Sequence, residues 1–143
     1  MQELTRSPVD RIGRAALLVR IFSIAVLIGM FVGTHLPPFG DQGITHMDKM
    51  LHCSAYLLLT TCLLASWELA SGILQPAHYF VVWQVVILYG LFDEITQTPF
   101  GRQCDGLDWL ADVAGAVAGL IVFQLARPWM YRLIGAGPAP VPQ

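Results

Sequence analysis

Charge is what this chain has least of. Only 13% of its 143 residues are Asp, Glu, Lys or Arg, against 55% hydrophobic residues, and the mean hydropathy is +0.59. Those values lie outside the usual range of soluble domains and indicate one small integral membrane domain. Ten acidic residues outnumber eight basic ones, for a formal net charge of −2. The basic surface that a nucleic-acid partner requires is therefore missing. Cysteine is scarce too: of Cys53, Cys62 and Cys104, the first two share one helical segment too far apart to bridge, so at most one of them could meet Cys104. Free thiols are expected. No His-Glu-x-x-His spacing of a zinc protease occurs, and no repeat of fixed period. Arg6, Arg11 and Arg14 would suit the start of a signal peptide, but the apolar run after them is too long and lacks a small-residue cleavage site. It is expected to remain as a first span.

What is present is a series of apolar segments, from about Ala15 to Leu36, Met50 to Ala70, His78 to Phe92 and Leu107 to Leu125. Most approach the ~20 residues that a helix needs to cross a hydrocarbon core. Backbone polar groups in lipid must be satisfied within their own segment, which predicts an all-α integral membrane bundle of four transmembrane helices. Residues 1–135 form this domain, and the Pro-rich tail 136–143 is expected to be disordered. Trp67, Trp109 and Trp129 fall near predicted span ends, as interfacial anchors do. His78 falls in a predicted loop. Gly29-x-x-x-Gly33 and Gly115-x-x-x-Gly119 both suggest close helix packing inside the bundle.

The few charges are unevenly distributed. Arg6, Arg11, Arg14, Arg20, Arg127 and Arg132 flank the first and last spans on one side, which predicts that both termini are cytoplasmic. Arg20, just inside the first span, can snorkel to that interface. On the other side lie Asp41, Asp48, Asp93, Glu94, Asp105, Asp108 and Asp112, with only Lys49 and Arg102 to balance them. The spacing places many of these on helix faces. Asp48, His52 and Tyr56 recur every four residues, Glu94 and Gln97 are three apart, and Asp108 and Asp112 are four apart on the face that continues to Gly115 and Gly119. Ionisable groups at membrane depth are costly and mark a functional site by default.

These residues resemble a known pattern. The segments "DKMLHCSAY" and "DEITQTPFGRQCDGLDWLADVAGAVAG" are similar to the VanZ-like membrane proteins, through Asp48, Lys49, His52 and Tyr56, then Glu94, Gln97, Arg102, Asp108, Gly115 and Gly119. The resemblance covers the last three predicted helices. Asp112 stands where that family usually has Asn, exchanging a donor and acceptor for a group that only accepts when ionised. What the resemblance implies is a multi-pass protein of the bacterial cytoplasmic membrane, associated with resistance to teicoplanin, a lipid-tailed glycopeptide.

Three chemistries suit such a cluster. A structural network would use the ion pairs and hydrogen bonds only to fix helix register. An acid/base enzyme acting on a lipid or phosphate-bearing envelope precursor would use His52 with Asp48 or Glu94, supported by Gln97 and Asp108, while Lys49 and Arg102 hold an anionic head group. A variant of it binds a divalent cation through Asp48, His52, Glu94, Asp108 and Asp112. A binding pocket for a membrane lipid or the antibiotic would use Lys49, Tyr56, Arg102 and Asp112 without turnover. The enzyme needs His52 beside a carboxylate and an open cavity.

Overall fold

The computed structural model describes residues 7–36, 45–100 and 104–135, and there it is all-helical. Helix α1 spans Pro8–His35, α2 Thr45–Ser71, α3 Pro76–Gln97 and α4 Gly106–Ile134, with a short 3₁₀ turn, Thr98–Phe100, after α3. At 1.5 Å per residue the helices are roughly 33 to 44 Å long, enough for a hydrocarbon core of about 30 Å. All four are also apolar enough to cross it.

Polarity is distributed inside out, which supports the same conclusion. Leu17, Leu18, Ile21, Phe22, Ile24 and Ile28 of α1 lie exposed on the surface, as do Leu88, Leu110 and Leu125 of the other helices. His52, Thr60, Glu68, Asp93, Glu94, Gln97 and Asp112 are buried. In water this arrangement would expose a large sticky surface, whereas in lipid it hides these buried polar groups.

The ends of the helices have local causes. Pro8 opens α1 behind Ser7, whose hydroxyl accepts from the Asp10 amide, the ordinary N-cap arrangement. Asp105 caps α4 through the Leu107 amide at 2.8 Å, and Gly135 closes it at φ 65°, a left-handed conformation that glycine adopts freely. His78 belongs to the first turn of α3, not to a loop, and its Nδ1 accepts from the Gln75 amide.

Hydropathy underestimates α3 and α4. Helix α3 continues past Phe92 because Asp93, Glu94 and Gln97 are buried against other helices. Helix α4 passes through Pro128 and ends only at Ile134. The 136–143 tail and Arg102 lie outside the described residues.

Helices α2 and α4 form the central pair and run parallel. The Cys53 backbone abuts Gly115, Leu57 and Thr60 abut Gly119, and Glu68 meets Arg127, a constant offset of about sixty residues that only parallel helices can keep. Gly115 and Gly119 do pack inside the bundle. Gly29 and Gly33 do not, since a Cβ on either would meet nothing within 4 Å among the described residues.

Candidate functional site

The end of α1, the start of α2, the end of α3 and the start of α4 converge at one end of the bundle. Its centre is the pair His52 and Asp112, where the imidazole Nδ1 lies 2.9 Å from Asp112 Oδ1. Both are buried, at 6% and 0% exposure, beside Asp93 at 1% and Glu94 at 2%. The direct partner of His52 is thus Asp112, and not Asp48 or Glu94. Gln97 Nε2 donates to Asp93 Oδ2 and Glu94 Oε1, while Glu94 Oε2 accepts from the Asp105 amide at 3.0 Å. Glu94 thereby ties the end of α3 to the cap of α4.

Gly90 explains how α3 approaches so closely. A Cβ there would lie 2.9 Å from Asp112 Oδ2 and 3.3 Å from Tyr56 Cε1, so only glycine leaves room for both side chains. Neither Asp112 Oδ2 nor the Tyr56 hydroxyl, both buried, has a hydrogen-bond partner among the described residues. Unpaired buried polar atoms are unusual in a folded protein and call for an explanation.

Lys49 bridges two carboxylates at the rim, with Nζ 2.8 Å from Asp105 Oδ2 and 2.7 Å from Asp108 Oδ1. Its ammonium holds the Asp105 carboxyl below the usual aspartate range, helped by the Leu107 amide. A depressed carboxyl stabilises the fold above its unfolded-state value and loses that contribution as pH falls through the lowered one. In carboxyl-detected NMR of the micellar protein, Asp105 should titrate below an ordinary aspartate, and Lys49→Ala should move the midpoint upward. An ordinary midpoint in the parent would mean that Lys49 spends its time elsewhere.

Asp48 is exposed on the same side of α2, and Asp108 is buried at the start of α4. Two groups have their potential ligand atoms within 4.8 Å of one another: Asp48, His52 and Asp108, and His52, Glu94 and Asp112. The structure therefore brings Asp48, Lys49, His52, Tyr56, Glu94, Gln97, Asp108 and Asp112 to one end.

Sequence reasoning missed a layer supplied by α1. Thr34 Oγ1 donates to Asp93 Oδ1 at 3.1 Å, His35 Nε2 lies 3.0 Å from Thr96 Oγ1, and His35 Nδ1 is 3.8 Å from Asp93. The only hint was polar "TH" closing an otherwise apolar span. A second polar cluster at the opposite end was also missed. Buried Glu68 accepts from Arg127 Nε at 2.5 Å and from the Tyr131 hydroxyl at 3.0 Å. Its hint was a lone glutamate in an apolar segment with an arginine at matching depth on the last one. Trp109, read as an interfacial anchor, also donates to the Ile87 carbonyl at 3.1 Å and ties α4 to α3. The cysteines are free as expected, though Cys104 is exposed.

A groove of about 420 Å³ runs between α1, α2 and α4, lined by Leu18, Phe22, Cys62, Ala65, Phe123 and Met130. It is almost wholly apolar and lies away from His52. No protein-family model, no curated protein and no solved structure matches this chain.

Proposed function

We propose that this chain is a VanZ-like protein of the bacterial cytoplasmic membrane, with cytoplasmic termini and an outward-facing acidic end. There the His52 site binds the polar head of an envelope lipid or of a lipid-tailed glycopeptide of the teicoplanin type. The observation that carries this reading is the buried His52–Asp112 contact, with Glu94 and Asp108 in ligand-sharing distance of the same imidazole. Asp112 Oδ2 and the Tyr56 hydroxyl, both without a partner among the described residues, offer a ligand polar atoms to engage. The sidedness is supported by Arg11, Arg14 and Arg20 in the first half of α1 and Arg127 and Arg132 in the second half of α4, at the other end of the bundle, with Arg6 before them in the sequence. Arg102 supplies positive charge to an anionic head group and Tyr56 a hydroxyl, while Lys49, paired with Asp105 and Asp108, holds the rim together.

The described groove lies away from His52 and does not supply the open cavity that turnover needs, but the contact geometry of His52 fits acid–base chemistry. Asp112 engages Nδ1, which orients the ring and leaves Nε2 free to give or take a proton from a bound ligand, the role of histidine in general acid–base catalysis. The membrane-embedded acid/base enzyme is therefore the second reading, with an envelope precursor as substrate.

Both predict that His52→Ala and Glu94→Gln abolish protection against teicoplanin in cells that the parent protects, with membrane abundance near the parent's. Glu94→Gln should leave the melting temperature near the parent's, whereas His52→Ala, which strands the buried Asp112, should lower it. Protection that survives both substitutions would remove the site from consideration, and loss that merely follows unfolding would favour the structural network. Where the parent gives no protection, lipid extracts should be compared by mass spectrometry. A species altered by the parent and not by the His52→Ala protein identifies the enzyme; extracts identical with and without the parent would sink it.

A further inference from the structure

We infer that His52, Glu94 and Asp112 bind a divalent transition-metal cation, of the Zn²⁺ or Mn²⁺ class. The inference deepens the ligand-site reading above and rests on it for its biological meaning, but the cation itself follows from geometry.

Potential ligand atoms on the three residues lie within 4.8 Å of one another, and all three residues are buried. Metal–ligand bonds of about 2.0 to 2.2 Å set three ligand atoms of one ion roughly 3 to 4 Å apart, so the three side chains would draw together on binding. The residues come from three helices, which fixes their positions in a way that a flexible acidic loop does not. The second observation is independent of this spacing. Asp112 is fully buried, and its Oδ2 has no partner among the described residues even though Oδ1 engages His52. A carboxylate oxygen withdrawn from water and left unpaired costs more than almost any other side-chain atom, and a cation is the partner that removes the cost.

The charges point the same way. Glu94 and Asp112 are buried beside Asp93, whereas the Lys49 ammonium makes its ion pairs with Asp105 and Asp108 at the rim. An imidazole nitrogen with two carboxylates is a mixed nitrogen and oxygen set, suited to Zn²⁺ or Mn²⁺ better than to Ca²⁺, which takes six or more oxygens. Three protein ligands leave coordination positions open, as at catalytic and substrate-binding metals. A phosphate or carboxylate of the envelope ligand would fill one. Exposed Asp48 and buried Asp108 form a second group around the same histidine.

Mn²⁺ alone is the probe, because the six-line paramagnetic resonance signal of the free aqueous ion vanishes on binding. Titrating detergent-purified, chelator-stripped protein should suppress that signal until one Mn²⁺ per chain has been added, and Zn²⁺ should release it. Asp112→Asn and Glu94→Gln, which keep side-chain shape, should each weaken binding at least tenfold. Asp105→Asn removes the same charge at the rim and should change it less than about threefold. A free signal that grows from the first addition overturns the inference; so does equal weakening by all three substitutions, which would mean diffuse attraction. A protein that binds Mn²⁺ yet shows neither protection nor altered lipids keeps the cation and loses the envelope ligand, and the converse pair of results does the reverse.

Discussion

Gly115→Leu should lower the stability of the detergent-solubilised protein more than any other single substitution on the α2–α4 seam. A Cβ at residue 115 would collide with the Cys53 carbonyl oxygen and lie 2.9 and 3.0 Å from the carbonyl carbon and Cα. All three are backbone atoms inside a helix, so none can swing aside and the two helices must separate. Overpacking typically costs about 1–3 kcal/mol. A leucine against rigid backbone should exceed that range, and alanine should fall within it. Gly29→Leu is the control, because nothing within 4 Å surrounds that position among the described residues; it should shift the unfolding midpoint by less than about 0.5 kcal/mol. The assay is unfolding in mixed micelles with rising SDS. Equal midpoints for Gly115→Leu and the parent would refute the α2–α4 contact. The lesion should reach the site as well, since Asp112 lies about one turn away on the same helix and its distance from His52 depends on the seam.

The second large effect is expected at the opposite end. Arg127→Ala leaves Glu68, 1% exposed, with a buried charge and no cation. Removing one partner of a buried pair costs about 3–5 kcal/mol, most of it the penalty on the charge left behind. The Tyr131 hydroxyl and the Leu74 amide, which also reach Glu68, cannot replace that charge. Glu68→Gln combined with Arg127→Ala should therefore recover a good part of the loss, because the stranded charge goes with it. Tyr131→Phe removes one neutral donor and should cost about 1 kcal/mol. A double variant no more stable than Arg127→Ala alone would refute the stranded charge as the source of the loss.

Four helices were legible because length and apolarity are one-dimensional properties. Helix ends were misplaced even at caps, since α1 starts at Pro8 and not near Ala15, and α4 ends at Ile134 and not near Leu125, and they were misplaced again where burial overrides hydropathy. Asp93, Glu94 and Gln97 look like a loop to any window average, yet they continue α3 because other helices, and not lipid, surround them. The site residues on α2 and α4 could be read from their three- and four-residue spacing, since one helix face is periodic. Which carboxylate meets His52 was not readable. Asp48 is one turn away on the same helix and Asp112 sixty residues on, and only the offset between α2 and α4 brings the latter to 2.9 Å. The same offset decides the Glu68–Arg127 pair. Contacts supplied by α1, through Thr34 and His35, carry no periodic signature at all.

The parallel seam has a mechanical corollary. From His52 to Glu68 is sixteen residues and from Asp112 to Arg127 fifteen, so each helix measures roughly 22 to 24 Å between its two polar partners at 1.5 Å per residue. The seam works as a ruler pinned at both ends, with Gly115 and Gly119 holding it closed between the pins. Sliding α2 along α4 by one turn would break the His52–Asp112 and Glu68–Arg127 pairs together and drive Cβ atoms into backbone. Any rearrangement that keeps both pairs therefore leaves α2 and α4 in register and is confined to α1 and α3.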